Sequence, residues 1–323
     1  MPAIENKTVM IINNMSNTFR MLMLLSLLLF SLSPIITLAE SKDSYRGLTY
    51  AYSNNVNINY EMIGYGDKKV VMLHGFGTSL HTWDDIKELF PKDEFTLYLI
   101  DLKGFGNSSK PEDDEYTIRE QSKIVEQFIR DINTDSLYLI GHSFGGAVAL
   151  LTQITLLNEK SKTRISKLIL IDCLAYIQEI PVFIDYLRTP VLNKLTFLLT
   201  AKFRAEYILN KIFYDKNLID EKLINRYAAF YEGDELPYTF ITSAGQIFPK
   251  GYDKIIDSYK NISTSCLIIW GENDPVLSLD NGIKLSKELP NAKLYIIDAC
   301  GHVPQEEKPE VTFKKIYSFI NSH

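Results

Sequence analysis

The sequence predicts an α/β protein, with a doubly wound, mostly parallel eight-stranded sheet and a helical segment inserted after the sixth strand. Three observations carry this. Short apolar runs alternate with helically spaced segments from residue 47 to about 176, the pattern of strand–helix–strand units. The alternation breaks over residues 174–261 and resumes at Leu267. One strand-to-helix junction reads Gly141-His142-Ser143-Phe144-Gly145-Gly146, a serine set in a tight turn between glycines.

Gly47 to Tyr52 and Val56 to Ile63 read as an antiparallel pair turned at Ser53-Asn54-Asn55. Val70-Val71-Met72-Leu73 is continuously apolar, as expected of a strand buried on both faces. Thr82 to Phe90 predicts a helix, and Phe95 to Ile100 the next buried strand, ending at Asp101. Tyr116 to Ile132 has helical spacing, with Ile118, Ile124, Val125 and Ile129 on one side. Leu137 to Ile140 leads into the serine turn, Ala147 to Leu151 reads as the helix behind it, and Leu168 to Ile171 is the sixth strand. Right-handed crossovers place helices on both faces.

From Leu174 to Asn261 there is no clear strand. The segment is rich in Tyr, Phe, Leu and Ile, and Pro181, Pro190, Gly233, Pro237 and Pro249 cut it into short helices. A strand at Leu267 to Trp270, a helix at Leu277 to Leu289, a strand at Lys293 to Ile297 and a helix at Glu310 to Ile320 complete the pattern. An insertion between two strands of one sheet reads as a cap over the strands' carboxyl ends, where open α/β sheets hold their ligands. Residues 40–176 and 262–323 are thus expected to form the core and 177–261 the helical cap.

The 323 residues suffice for one large domain with an insertion, and 46% hydrophobic and 23% charged content is ordinary for a globular protein. A net charge of −6 argues against nucleic-acid and anionic-membrane partners, which need a basic face. The expected partner is a small-molecule substrate. Residues 1–20 are polar, Met21 to Leu32 is almost wholly apolar, and Thr37-Leu38-Ala39 suits a signal peptidase. Residues 1–39 therefore read as a signal peptide, with Met15 or Met21 as possible starts. The alternative is an uncleaved anchor, since Met21 to Ala39 is almost long enough to span a bilayer. The expected location is exported, periplasmic or secreted, or tethered to a membrane by this segment. Cys173, Cys266 and Cys300 are an odd set at ends of strands too far apart to bridge, and are expected to be free, buried thiols.

A strand, then Gly-x-Ser-x-Gly, then a helix is the nucleophile elbow. A side chain on either flanking glycine would crowd the neighbouring strand and helix. The turn lifts the Ser143 hydroxyl above the sheet, and the helix start offers unpaired N–H groups to developing negative charge. A serine hydroxyl needs a base within hydrogen-bond reach, and the base needs an orienting group. Of His74, His81, His142, His302 and His323, only His302 sits immediately after the last strand, at the edge of the sheet that carries Ser143; it is the candidate general base and acid. His74 reads as a loop anchor, His81 as a surface or capping residue, His142 as turned away from Ser143, and His323 as terminal. Asp274, in Gly271-Glu272-Asn273-Asp274, is the candidate third member, whose role is to fix the imidazole tautomer. Asp172 is its main rival, Asp298 a weaker one, and Glu272 reads as a turn residue. Oxyanion donors are expected in the backbone N–H groups of Phe144 and of Phe76, in the loop His74-Gly75-Phe76-Gly77. The glycine-rich turn 101–108 lacks Walker spacing. No cofactor or metal ion is expected.

His74-Gly75-Phe76-Gly77, Asp101-x-x-Gly104-Phe105-Gly106-x-Ser108, Gly141-x-Ser143-x-Gly145-Gly146, Gly271-x-x-Asp274 and Gly301-His302-Val303-Pro304 stand in the order found in the α/β-hydrolase superfamily. The chain resembles its branch with a helical cap after the sixth strand, which includes epoxide hydrolases, haloalkane dehalogenases, carbon–carbon hydrolases of ring-cleavage products, and small esterases. The resemblance covers nearly everything from about residue 47 onward. Epoxide hydrolases and dehalogenases attack with an aspartate at the elbow, so Ser143 implies instead acyl transfer through an acyl-enzyme, or the carbon–carbon hydrolase variant. The resemblance implies hydrolysis of an ester, thioester or lactone, and the aromatic cap suggests a mainly apolar substrate. An aminopeptidase-like member is the other enzymatic alternative. A protein that binds a small molecule on this fold without turnover is the alternative of another class.

Overall fold

The computed structural model describes residues 44–159, 161–179 and 181–322; the leader read over residues 1–39, and His323, lie outside them. The sheet opens with β1 (Ser44–Ser53) and β2 (Val56–Ile63), antiparallel about Asn54 and Asn55. Then come β3 (Lys68–Leu73), a 3-10 turn at Leu80–Trp83, α1 (Asp84–Lys87), β4 (Phe95–Ile100), α2 (Ile118–Asp131), β5 (Ser136–His142), α3 (Phe144–Asn158) and β6 (Arg164–Ile171). The inserted segment holds α4 (Val182–Arg188), α5 (Leu192–Leu198), α6 (Ala201–Ile212), α7 (Glu221–Ala229), α8 (Leu236–Gly245) and α9 (Tyr252–Ile256). The chain closes with β7 (Ser265–Gly271), α10 (Leu279–Glu288), β8 (Ala292–Ile297), α11 (Pro304–Glu307) and α12 (Pro309–Ile320).

The eight strands lie in the order β1-β2-β4-β3-β5-β6-β7-β8. β2 is antiparallel to β4, and the pairs from β4 to β8 are all parallel. From β3 the chain steps outward to β4, then returns to β5 on the other side. The carboxyl ends of β3 and β5 are therefore a topological switch point, the place where such sheets leave a crevice.

Alternation along each strand builds two cores. Val71, Leu73, Leu168, Leu170, Ile268 and Trp270 face one side, with the buried stripes of α2 and α3. Val70, Met72, Ile169, Ile171 and Ile269 face the other, against Trp83, Ile86, Ile316 and Phe319. α3 is buried on nearly every side, whereas α2 buries one stripe and is capped by Thr117, whose hydroxyl accepts from the Glu120 N–H at 3.2 Å. Apolar residues of the inserted segment, such as Leu209 and Tyr227, join the first core.

Two expectations shift. The helix read over Thr82 to Phe90 is a 3-10 turn followed by only four residues of α-helix. The turn starts two residues earlier, at Leu80, capped by Ser79, whose hydroxyl accepts from the His81 N–H at 3.3 Å, and Pro91 follows the already buried Phe90. β6 begins at Arg164, not Leu168, because its first half alternates exposed and buried residues. The three cysteines are free and buried. No helix among the described residues is long and apolar enough to cross a membrane.

Candidate active site

β5 delivers Ser143 into a backbone conformation with φ 51° and ψ −117°. Such a conformation costs a non-glycine residue about 1–3 kcal/mol and persists only where its surroundings enforce it. Here the Ser143 N–H donates to the Ile171 carbonyl at 2.9 Å. A Cβ on Gly145 would stand 2.4 Å from the His74 carbonyl oxygen, and one on Gly141 2.5 Å from that of Gly145. The glycines let the turn pass between β3 and α3.

His302 lies beyond β8, and every direction of its backbone is tied. Its N–H donates to the Ile212 carbonyl at 2.8 Å. Its carbonyl accepts from Nε2–H of His142 at 2.8 Å. The preceding Gly301 N–H donates to Glu307 Oε1 at 2.8 Å. The ring is thereby aimed. Nδ1 stands 2.8 Å from Asp274 Oδ2, and Nε2 stands 3.0 Å from Ser143 Oγ. With Nδ1–H donating to the carboxylate, Nε2 is left to accept the serine proton. The other Asp274 oxygen accepts from the N–H groups of Val276 and Leu277, at 2.7 and 3.0 Å. The side chains of Asp274 and His302 are almost wholly removed from solvent.

The structure thus brings together Ser143, His302 and Asp274. Asp172 is deeply buried at the end of β6, where its Oδ1 accepts from the Gly271 N–H at 3.0 Å. Burial, and then the neighbouring Asp274 carboxylate, push its carboxyl well above the usual range. Asp298 and Glu272 are exposed. His81 pairs with Asp84 at 3.1 Å. His74 anchors the loop after β3: its Nδ1–H donates to Gly75 O at 2.7 Å and its Nε2 accepts from the Leu102 N–H at 2.9 Å. Burial holds both His74 and His142 below the usual imidazole range, so both are neutral near pH 7.

The anchored loop presses on the elbow. A Cβ on Gly75 would stand 3.2 Å from Ser143 Cβ and 2.9 Å from His142 Nδ1. The N–H of Phe144, first residue of α3, has no place in the helical ladder, and that of Phe76 donates to no acceptor among the described residues. Both residues flank Ser143 in the cavities described next.

A cavity of about 320 Å³, at the lower end of the range for ligand sites, runs from Ser143 and His302 under the inserted segment. Phe76, Phe183, Leu187, Phe197, Tyr231 and Phe240 give it an apolar wall. Among the described residues, the one charged side chain in its lining, Arg204, donates to the Tyr231 carbonyl at 2.5 Å and lies over the Phe197 ring. A second space of about 30 Å³ opens from Ser143 on the Phe144 side, against Leu174, Ile247 and Phe248.

Glu307 went unnoticed in the sequence. Besides Gly301, its carboxylate accepts from the N–H groups of Tyr214 and Asp215, at 2.9 and 3.2 Å, and so ties the inserted segment to the His302 loop. The only sequence signal was a pair of acidic residues, Glu306 and Glu307, four and five positions after His302. Asp172, Asp274 and His302 each place one donor atom within 4.8 Å of the others. Nδ1 of His302 and Oδ2 of Asp274 already serve each other.

Comparison with known proteins shows the family and the fold. The family profile for the alpha/beta hydrolase fold matches residues 68–309. "Uncharacterized hydrolase YugF" of Bacillus subtilis is 27% identical over 83% of this chain and 95% of its own length. The 2-hydroxy-6-oxo-6-phenylhexa-2,4-dienoate hydrolase of Burkholderia cepacia is 27% identical over 83% of this chain and 92% of its own. Among solved structures, an esterase from Exiguobacterium antarcticum superposes with a TM-score of 0.72 at 21% identity, covering 85% of this chain and all of that one. With three quarters of its length inside the family profile, the chain belongs to the alpha/beta hydrolase fold family.

Proposed function

We propose that this hydrolase is a serine esterase that cleaves an ester-type bond, a carboxylic ester, thioester or lactone, of a mainly apolar substrate through an acyl-enzyme. The observation that carries the reading is the chain Ser143 Oγ, His302 Nε2, His302 Nδ1, Asp274 Oδ2, with links of 3.0 and 2.8 Å. Ser143 Oγ attacks the carbonyl carbon as His302 Nε2 takes its proton. The carbonyl oxygen becomes an oxyanion between the Phe76 and Phe144 N–H groups. Collapse of the intermediate breaks the bond to the leaving oxygen or sulfur, which takes the proton back from Nε2. A water, deprotonated by Nε2, then attacks the acyl carbon and returns Ser143. Asp274 stabilises the imidazolium without taking its proton.

The two spaces beside Ser143 support an unequal substrate. The larger cavity suits a long apolar group, and the smaller one on the Phe144 side suits a compact one. The inserted segment acts as the cap that excludes water from the first. The apolar leader supports export or tethering at a membrane.

The dienoate hydrolase relative supports a second reading, carbon–carbon bond hydrolysis. A dienoate carries a carboxylate, and Arg204, the cavity's one cation among the described residues, is already engaged by Tyr231 and Phe197, which favours the ester. Steady-state rates on p-nitrophenyl esters of increasing chain length, beside a ring-cleavage dienoate, separate the two. A fluorophosphonate that labels the wild type but not Ser143→Ala supports the serine hydrolase. A folded protein that takes no label refutes it and favours a binding protein.

A further inference from the structure

Among the described residues, the buried tyrosines satisfy their hydroxyls within the protein, with one exception. Tyr116, Tyr176, Tyr227, Tyr252 and Tyr259 donate to the Pro111 carbonyl, the Glu288 and Glu306 carboxylates, and the Leu174 and Ala175 carbonyls, at 2.6 to 2.8 Å. Tyr231 is only 7% exposed, yet its hydroxyl has no hydrogen-bond partner among those residues. A buried polar group left unpaired weakens a fold, so each exception asks for a reason.

The Tyr231 oxygen is not walled in by protein, and the space its side chain lines is the cavity that reaches Ser143. The ring meets that of Phe240 edge to face, with centroids 6.0 Å apart. Its backbone is held on both sides. The N–H donates to the Ala228 carbonyl at 2.9 Å, and the carbonyl accepts from Arg204 at 2.5 Å. Thr78 and Thr196, in the same lining, already donate to the Gly75 and Leu192 carbonyls, at 3.1 and 3.0 Å, and Tyr186 and Tyr207 are partly exposed. Tyr231 thus sets one buried, unused hydroxyl on an aromatic wall, the pattern of a pocket that fixes a single feature of its ligand.

The chemistry of the wall selects that feature. A hydrocarbon chain filling the cavity would exclude water and leave the hydroxyl unpaired, whereas a chain with an oxygen at that place would restore the bond. Burial pushes the phenol above its usual range, against the pull of the Arg204 cation. The group therefore keeps its proton, and the nearby positive charge favours its use as a donor. An uncharged acceptor suits the place, because a carboxylate would exchange water for aromatic rings, and Arg204 is turned to the Tyr231 carbonyl and the Phe197 ring.

We propose that Tyr231 is a specificity-determining residue, whose hydroxyl donates to an uncharged carbonyl oxygen, a ketone or a second ester, in the substrate group that fills the larger cavity. The protein thereby selects oxygen-bearing chains over plain hydrocarbon ones. The bond that is broken rests on the serine esterase reading; the selection does not.

Binding without turnover tests this. In Ser143→Ala, which lacks the nucleophile, calorimetry compares methyl octanoate with its 4-, 5-, 6- and 7-oxo analogues. The same series is run on Ser143→Ala/Tyr231→Phe, which loses one oxygen and keeps the ring beside Phe240 and the carbonyl that Arg204 uses. At one ketone position, affinity relative to methyl octanoate is expected to fall about tenfold when the hydroxyl is removed. The ratio cancels the ketone's own hydration, which both proteins must displace. Unchanged ratios at every position overturn the proposal. So do equal losses on the plain ester and its analogues, which assign the hydroxyl to the scissile carbonyl or to packing, and so does a failure of every ester to bind. With Ser143 intact, the same tenfold change is expected in the ratio of kcat/KM values. Fluorophosphonate labelling of Ser143 reports the esterase reading separately. A protein that binds an oxo ester through Tyr231 yet takes no label sinks that reading alone.

Discussion

The backbone N–H of His302 donates to the carbonyl of Ile212, 2.8 Å away and last in α6. The candidate base is thus held by the inserted segment as well as by the sheet. Glu307 repeats the linkage from the other side, joining Gly301 to Tyr214 and Asp215.

Glu307→Gln replaces one accepting oxygen with a donor, which then faces either Gly301 N–H or the pair from Tyr214 and Asp215. The variant is expected to melt about 5 °C lower. Its kcat is expected to fall about tenfold, as His302 loses its fixed approach to Ser143. Thermal melts and steady-state rates on one ester check both. Full activity at the lower melting temperature would limit Glu307 to stability.

Asp274→Asn is expected to lower kcat by about 10³–10⁴-fold, since an amide cannot hold the imidazole in the required tautomer. Asp172→Asn keeps an oxygen that can accept from the Gly271 N–H and is expected to stay within about tenfold of wild type. Rates for the two variants on one ester decide between the carboxyls. The reverse order would transfer the role to Asp172.

The same Asp172 makes stability depend on pH. Its folded pKa is raised by burial and by Asp274, so the folded protein keeps a proton that the unfolded chain releases near pH 4. The contribution is full below about pH 4 and diminishes as pH rises toward the raised pKa. Asparagine cannot ionise. The melting temperature of Asp172→Asn relative to wild type is therefore expected to rise from pH 4 to pH 8. A constant difference would show that Asp172 ionises normally.

Ser143 holds φ at 51°, a region that costs a residue with a Cβ about 1–2 kcal/mol. Ser143→Gly and Ser143→Ala both lack the nucleophile, so their difference isolates the backbone. The glycine variant is expected to melt about 2–4 °C higher than the alanine variant. Equal melting temperatures would show that the turn is unstrained.

The sheet was legible because its strands are apolar on both faces, which leaves continuous runs such as Val70 to Leu73. Where burial alternates, as in the first half of β6, the run disappears and the strand reads short. Ser143 and His302 were legible because chemistry and chain order restrict the choice. Asp274 was separable from Asp172 only by a ranking, since both follow strands at the same edge. Glu307 was not legible, because its three partners are backbone N–H groups distant in sequence, and a carboxylate carries no mark of what it will accept. The exposure of the α5 leucines was not legible either, since composition does not tell an inward-facing helix from an outward-facing one.

About ninety residues leave the sheet after β6 and return at β7, its parallel neighbour. Closing so long an excursion costs little more than closing half of it, about 0.6 kcal/mol per doubling. The segment's size is therefore nearly free to drift, and substrate preference can be rewritten by exchanging it wholesale. One constraint travels with any replacement. It must still offer an acceptor where Ile212 does, or the imidazole loses its footing.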